Sequence, residues 1–381
     1  MEQSFYQEYI DKWKNPILAE VQAHINGTDS TDPNAFRYYH REWLRAEYSV
    51  SGMWESINTY NNRAMVDYVA LNSPLPVKSR GRYDKKVGEI AKLGGSTGLT
   101  EKQMRDIRQI LNNARTPEQA ELIVPILFGN VSDLWYGVLE RNEATFLEGL
   151  STGVALIEDK EHDDENIGIG IRLDYGYEKD NKSVATAVWT DRTNSKPLTD
   201  LRNMVEKADD KGRVINYVLM DYHTLDDFLN SEEVKKYVAW RNNYHGKAEN
   251  IQSPILEQMN TWLQSDDKYG FQIIKIKRKS MHERNGNITP KEHWKRGMVV
   301  GVPTLNLGTL QWSDVEENFN RVAGVDYTVR ENGVLISMYR QHRPILQEFT
   351  DVQALQVPII GNVKNIYTLN ALQTDIEHVD D

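Results

Sequence analysis

LNSPLPVKSRGRYDKKVGEIAKLGGSTGL, residues 71–99, is the stretch on which the reading of this chain turns. Lys78, Arg80, Arg82, Lys85 and Lys86 fall within nine positions, against one acid, Asp84. Pro74, Pro76, Gly81, Gly88, Gly94, Gly95 and Gly98 punctuate it, and apolar residues are few. Such a tongue has little core of its own, and a two-stranded ribbon is marginal in water without something to pack on. A long helical pattern follows directly. A basic, weakly cored tongue ahead of a long helix points to a subunit that reaches onto its neighbours.

The entry to the helix is marked. Thr100 with Gln103 makes a capping box, and Thr116 followed by Pro117-Glu118-Gln119 restarts a helix with proline at its first position. Leu122, Ile126, Val131, Leu134, Trp135, Val138 and Leu139 recur at three- and four-residue steps, to about Gly149. That predicts a girder of roughly 48 Å, with Pro125, Gly129 and Gly137 expected to bend or weaken it.

Upstream, residues 1–65 read as an arm with short helices. Ile10, Trp13, Ile17, Leu18 and Val21 keep a helical spacing, and a second helix is expected within Phe36–Tyr60. Downstream of Gly153 the texture turns to strands: Val154–Ile157, Ile167–Tyr177 with Ile167, Ile169, Ile171 and Leu173 on one face, and Val184–Trp189. Residues 197–345 read as an α/β lobe. Its expected helices are Leu198–Ala208, Thr224–Phe228, Ser231–Trp240 and Pro254–Leu263. Its expected strands are Val214–Asp221, Phe271–Lys277, Met298–Pro303 and Val334–Tyr339. A last strand-rich piece, Val357–Leu369, returns to the sheet.

The chain has 381 residues, enough for two or three lobes with real cores. It is polar, yet holds 9 Trp and 19 Tyr, which fits ordinary cores and equally fits surfaces finished by partners. Its net charge of −11 argues against general nucleic-acid binding, which rests on cationic neutralisation of phosphates. There is no cysteine, so disulfides and thiolate metal sites are excluded. No run approaches a membrane span, and the N-terminus lacks a signal-type apolar core.

Few motifs carry chemistry. Gly149-Leu150-Ser151-Thr152-Gly153 matches GxSxG, but a nucleophile elbow needs a strand before the serine and a helix after it. Here the order is reversed, and Gly149 and Gly153 read as a helix end and turn. A soluble hydrolase built on Ser151 is the enzyme alternative. Gly94-Gly95-Ser96-Thr97-Gly98 lacks the P-loop lysine. The acidic run with Glu158, Asp159, Glu161, Asp163, Asp164 and Glu165 lacks calcium-loop spacing; it reads as a solvated loop or as an intersubunit partner for the basic tongue. No metal, cofactor or catalytic constellation is expected.

In this order the chain resembles the major capsid proteins of tailed bacteriophages, the lambda-type coat protein family. VALNSPLPVKSRGRYDKKVGEIAKLGG (69–95) resembles the family's extended E-loop, and TEKQMRDIRQIL (100–111) with the helix to Gly149 resembles its spine. FLEGLSTGVALIED resembles the turn into the peripheral domain. IRLDYGYEKD followed by VWTDRTNSKPLTDLRNMV is the most specific block, with Trp189, Asp191, Pro197, Leu198, Asp200 and Leu201 in the family's arrangement. VINYVLMDYHTLDDFLNSEEVKKYV resembles the start of the axial domain. The likeness spans roughly residues 65–360.

The resemblance implies an α+β fold, often called the Johnson fold. Its parts would be an N-terminal arm (1–65), the E-loop (66–99), a peripheral domain with the spine helix (100–196), an axial domain (197–345) and a C-terminal return (346–381). It implies a coat subunit, without catalysis, that forms hexamers and pentamers of an icosahedral phage head around double-stranded DNA, assembled in the host cytoplasm. Implied partners are copies of itself, a portal, a decoration protein, and a scaffold that is a separate polypeptide, since only a short arm precedes the loop. An encapsulin-like nanocompartment shares the fold and is the alternative shell.

Overall fold

The tongue divides at Ile90. In the computed structural model, which describes residues 2–25, 38–59, 83–113, 124–157, 171–243, 252–284, 287–344 and 346–375, Tyr83–Glu89 belongs to a ribbon and Lys92–Leu99 to the main sheet. Strand β3 (Tyr83–Glu89) pairs antiparallel with β2 (Met53–Thr59), from Met53 opposite Glu89 to Thr59 opposite Tyr83. Strand β4 (Lys92–Leu99) instead pairs with β16 (Gln347–Ile360), Leu99 opposite Glu348 and Lys92 opposite Leu355. The helix expected within Phe36–Tyr60 is only α2 (Tyr39–Trp43). The chain then runs into β1 (Leu44–Tyr48) and the ribbon. Local patterning missed β2 because a two-stranded pairing is specified by its distant partner, not by its own residues.

Six strands make the main sheet. The order is β1, β13 (Gly308–Ser313), β16, β15 (Val334–Gln341), β14 (Asp326–Arg330), with β4 also on β16. Only the β1–β13 pair is parallel among them. Strand β16 is 14 residues long. It alternates in burial from Gln347 to Gln356, with one face on the core, then is buried throughout over its last residues. Strand β15, expected at Val334–Tyr339 within the α/β lobe, belongs here, as do β13 and β14, which were not expected as strands. An apolar run identifies a strand without saying which sheet it joins.

The girder is α4 (Val124–Thr152), 29 residues and about 44 Å long. The restart expected at Thr116 to Gln119 lies outside the described residues. The preceding helix, α3 (Glu101–Asn113), is capped as its sequence indicates. Thr100 N–H donates to Gln103 Oε1 at 2.8 Å, and Gln103 N–H to Thr100 Oγ1 at 3.4 Å. Helix α4 ends at Gly153, whose φ of +82° is the left-handed turn that favours glycine, and whose N–H donates to Gly149 O at 2.8 Å. Gly149 itself is not part of that turn. It lies within the helix against the Tyr175 ring, and a side chain there would overlap Tyr175 Cε2.

Two cores meet on this helix. Its first half, with Phe128, Val131, Trp135 and Val138, packs with Ile10 and Leu18 of α1 (Gln7–Ile25), Met104 and Ile107 of α3, and Val334, Ile336 and Val352 of the sheet. Its second half, with Phe146, Leu147 and Leu150, packs on Val357, Ile359 and Leu310 of the main sheet. The same cluster takes in Leu219, Ile276, Val300 and Val302, which belong to the second sheet. The girder therefore joins the two layers, and its apolar stripe is that of a helix covered on several sides.

The second sheet has the order β7 (Lys182–Val184), β17 (Tyr367–Asn370), β12 (Met298–Val302), β8 (Tyr217–Asp221), β9 (Gln272–Ile276). Helices α5 (Pro197–Asp209), α6 (Tyr222–Asn230), α7 (Glu232–Arg241) and α8 (Leu256–Gln264) bury Leu201, Met204, Phe228, Val234 and Met259 in its core. The strand expected at Val184–Trp189 ends at Val184, and the rest is irregular. Two hairpins complete the fold: β5 (Val154–Ile157) with β6 (Ile171–Asp174), and β10 (Lys279–Arg284) with β11 (Asn287–Glu292). A single turn, α9 (Glu316–Phe319), follows β13.

The N-terminus is tied to the main sheet. Glu2 and Arg340 exchange backbone hydrogen bonds of 3.0 and 2.8 Å, and Lys14 pairs with Asp326. Phe5 N–H donates to Glu348 Oε1 at 2.7 Å. Burial pushes the Glu348 carboxyl up, against hydrogen bonds from Phe5 N–H and Ser4 that pull it down. A carboxyl raised on folding costs stability in its ionised form, and the cost fades as pH falls through the raised pKa. Glu348→Gln, which keeps an acceptor, is therefore expected to raise Tm at about pH 7 and to have no such gain at about pH 4. Melting curves at both pH values check the sign.

Candidate assembly surface

The ribbon is mounted at its base by four contacts. Gln311, a buried residue of β13, turns its carboxamide to the backbone of Glu55 in β2. Glu55 N–H donates to Gln311 Oε1 at 2.9 Å, and Gln311 Nε2 donates to Glu55 O at 3.0 Å. One amide thus acts as a short piece of strand and sets where the ribbon leaves the sheet. Trp54 of β2 lies over Gly88 of β3, its register partner, and packs against the core below. A Cβ on Gly88 would sit 2.6 Å from Trp54 Nε1, so the close crossing requires glycine. Ile90 N–H donates to Gly52 O at 3.0 Å and closes the base.

Lys86 makes the fourth contact. Its Nζ donates to Asp174 O at 2.9 Å and lies 3.7 Å from the Asp174 carboxylate. Gly176, at φ +74°, leaves the room it occupies. Asp174 was not among the acids expected from sequence, and it lies on the same chain. Such a half-exposed pair is worth about 0–1 kcal/mol, enough for register. Lys85 pairs through its backbone with Ile57. Lys78, Arg80 and Arg82 lie outside the described residues, as do Glu158, Asp159, Glu161, Asp163, Asp164 and Glu165. That acidic run connects the paired ends Ile157 and Ile171.

The block from Trp189 to Leu201 has a physical reason at each position. Trp189 is fully buried and donates from Nε1 to Asp200 Oδ2 at 3.0 Å. Asp200 Oδ1 also accepts from Thr186 N–H at 3.1 Å and from the Thr186 hydroxyl. One buried carboxylate so ties the irregular segment after β7 to the first turn of α5. Pro197 opens α5, Leu198 and Leu201 enter the core, and Glu233 of α7 accepts the Leu198 N–H at 2.7 Å. Asp191 caps its own turn, accepting from Thr193 and Asn194 N–H at 3.2 Å each. Hydrogen bonds from Asn194 hold its carboxyl below the ordinary value.

A second staple joins the arm to the girder, and sequence reading missed it. Glu143 of α4 is fully buried and accepts Tyr39 N–H at 3.0 Å and His40 N–H at 2.9 Å. It also accepts His40 Nδ1 at 2.7 Å. One turn earlier, Glu140 accepts the Tyr38 hydroxyl at 2.9 Å and pairs with Arg278, whose guanidinium lies over the Tyr38 ring at 4.7 Å. The only sequence signal was a pair of acids on an apolar helix, and their partners lie about a hundred residues away.

Ser151 has a structural role. It is buried in the last turn of α4, donates to Glu148 O at 3.1 Å and accepts Lys295 N–H at 3.1 Å. No strand-to-helix elbow surrounds it. Among the described residues there is no group of three side chains that could hold a metal, and no helix is long and apolar enough to cross a membrane.

The comparisons with known proteins agree with this architecture. The profile of phage major capsid protein E matches residues 58–325. No curated protein matches the chain. Among solved structures, one assigned as a prophage capsid protein from Escherichia coli CFT073 is similar. It has 12% identity and a TM-score of 0.53, over 92% of this chain and 98% of that one. A phage-related protein from Bordetella bronchiseptica RB50 follows at 11% identity and TM-score 0.49, over 94% and 98%. The mature capsid of bacteriophage PhiM1 gives 10% and 0.46, over 90% and 89%. The prophage structure shows the shared α+β fold. The profile covers most of the chain, from the end of β2 through β3, β4 and all of the second sheet but β17. The chain belongs to the phage major capsid protein E family, and it is a structural subunit of a virion shell.

Proposed function

We propose that this subunit assembles into rings of six and of five, and that the rings close an icosahedral head around double-stranded DNA. The observation that carries the reading is the ribbon. Beyond its clamped base, β2 and β3 pair only with each other among the described residues, and the basic segment 60–82 connects their paired ends Thr59 and Tyr83. An arm mounted on a sheet by a buried amide is aimed before it meets a partner, which lowers the ordering cost of association. The α/β lobes, about 197–302 with β17, cluster at the ring axes in heterologous contacts that close.

In this arrangement Lys78, Arg80, Arg82 and Lys85 meet acids of the next copy, with Glu158–Glu165 one source. Lys86 keeps register at the ribbon's base. Exposed pairs add little each, so they select the neighbour and its orientation while apolar contacts supply the strength. An acidic wall encloses DNA without gripping it, since like charge opposes adsorption. Assembly takes place in the host cytoplasm, and a portal, a separate scaffolding protein and a decoration protein are the partners this reading calls for. Electron microscopy of the protein expressed with its neighbouring genes is expected to show closed shells with five- and six-fold capsomers. Soluble monomers alone, at any concentration, would refute it.

A further inference from the structure

The second sheet ends in a strand whose free edge is covered by side chains. Strand β9 pairs with β8 on one side and has no strand on the other among the described residues. Its run FQIIKIK, residues 271–277, is rich in β-branched residues and holds neither glycine nor proline. Such a run adds strands readily when its edge is open. Strand β9 is parallel to β8, and Gln272 N–H donates across to Asn216 O at 2.9 Å. Gln272, Ile274 and Ile276 therefore turn their backbone groups toward β8, and Ile273 and Lys275 turn theirs to the free edge.

Asn260 of α8 sits on that edge. Its Nδ2 donates to Ile273 O at 2.9 Å, and its Oδ1 accepts Ile273 N–H at 2.8 Å. One carboxamide so exchanges both bonds with one residue, as the facing residue of an antiparallel strand would. Two residues on, the Tyr39 hydroxyl donates to Lys275 O at 3.3 Å. Side chains thereby engage three of the four backbone groups that Ile273 and Lys275 turn outward. Helix propensity does not account for Asn260. Asparagine is a weak helix former, yet it stands in the middle of α8. Fully buried Met259 and Leu263 fix this helix on the sheet, so the carboxamide is held in place. The opposite edge is covered in a similar way, where Lys207 of α5 donates to Lys182 O of β7 at 3.3 Å.

We propose that Asn260, with Tyr39, closes the edge of β9 to strand addition by a second copy of this chain. The guard acts by occupancy. An incoming strand finds the Ile273 N–H and C=O already bonded, and must displace a side chain fixed by its helix. An open edge here would join lobes in contacts that grow without closing, which matters wherever copies are crowded. The inference does not depend on rings or shells, since it concerns any two copies that meet.

Two variants test it. Asn260→Ala with Tyr39→Phe removes both covers and keeps the aromatic ring in its core. Asn260→Lys with Tyr39→Phe loses the same hydrogen bonds but puts a charge on the edge, which blunts it. Both are compared with the unmodified protein, at equal concentration, by thioflavin T fluorescence and electron microscopy. The alanine variant is expected to form open ribbons and to raise the dye signal at least about tenfold, and the lysine variant less than about twofold. In hydrogen exchange the Ile273 amide of both variants is expected to exchange at least about tenfold faster than in the unmodified protein. Equal dye signal from the two variants overturns the guard, whether both are high through lost stability or both match the unmodified protein. Unchanged exchange at Ile273 overturns it as well, for the cover would then not be made.

Discussion

Glu143→Ala is expected to be the most damaging single substitution in the subunit. It removes the acceptor of three hydrogen bonds in a site closed to water, and strands two backbone N–H groups and the His40 ring. Each buried donor left without its acceptor costs about 1–3 kcal/mol. The arm residues Tyr38–Trp43 then keep only the Glu140 contact and apolar packing on the girder, which loosens β1 behind them. The expected signature is a Tm lowered by several degrees or more, with early loss of amide protection over residues 38–48 in hydrogen exchange. Glu143→Gln keeps one acceptor oxygen and is expected to fall between the two. A melting curve for Glu143→Ala that superimposes on wild type would show that the staple is not part of the folded subunit's stability.

The second large effect is on assembly rather than folding. Thr59 and Tyr83 face each other at the end of the described ribbon, so residues 60–82 can be replaced by Asn-Gly, the two-residue turn that suits a right-twisted hairpin. The shortened subunit retains the Gln311 clamp, Trp54 over Gly88, Lys86 and the whole of β4. It is expected to be soluble, with Tm within about 2 °C of wild type, since an isolated ribbon adds little stability. Shell yield is expected to fall below about 1% of wild type, because the lost contact recurs at every position around each ring and small losses per contact multiply. A cut that also took Lys92–Leu99 would be uninformative, for it would remove a strand of the main sheet. Normal yields of shells from the shortened chain, measured by sedimentation, would take the ribbon out of assembly.

What could be read from sequence divides along a physical line. The Thr100–Gln103 cap, the helix that opens at Pro197 and the strands Tyr217–Asp221 and Met298–Val302 depend on neighbouring residues, and their patterns sufficed. The same holds for the long helix, whose stripe needs no knowledge of what covers it. Pairings that close over long separations were not readable. Met53–Thr59 looks like no particular element until Tyr83–Glu89 is set beside it. Val334–Gln341 begins as a plain apolar run and Gly308–Ser313 shows no strand pattern of its own, and nothing local assigns them to the sheet beneath the girder rather than to the α/β lobe.

The contacts that matter most for assembly were the hardest. Gln311 stands in an otherwise ordinary strand, and its role depends on the backbone of Glu55, which no residue pattern announces. Glu143 and His40 are single polar residues whose meaning comes from being buried together. The basic tongue, by contrast, was evident from charge and glycine alone. Its Lys86 nevertheless turned to Asp174 of its own chain, because the ribbon's path over the β5–β6 hairpin brings that carbonyl within reach.

A cryo-electron microscopy reconstruction of the assembled shell tests the central claim most directly, by showing where residues 60–82 lie. The account predicts continuous density from the ribbon of one copy onto the sheet of the next, with the Gln311 clamp intact at its base. Density that folds this segment back over the body from which it springs, in shells that are otherwise closed, would contradict it.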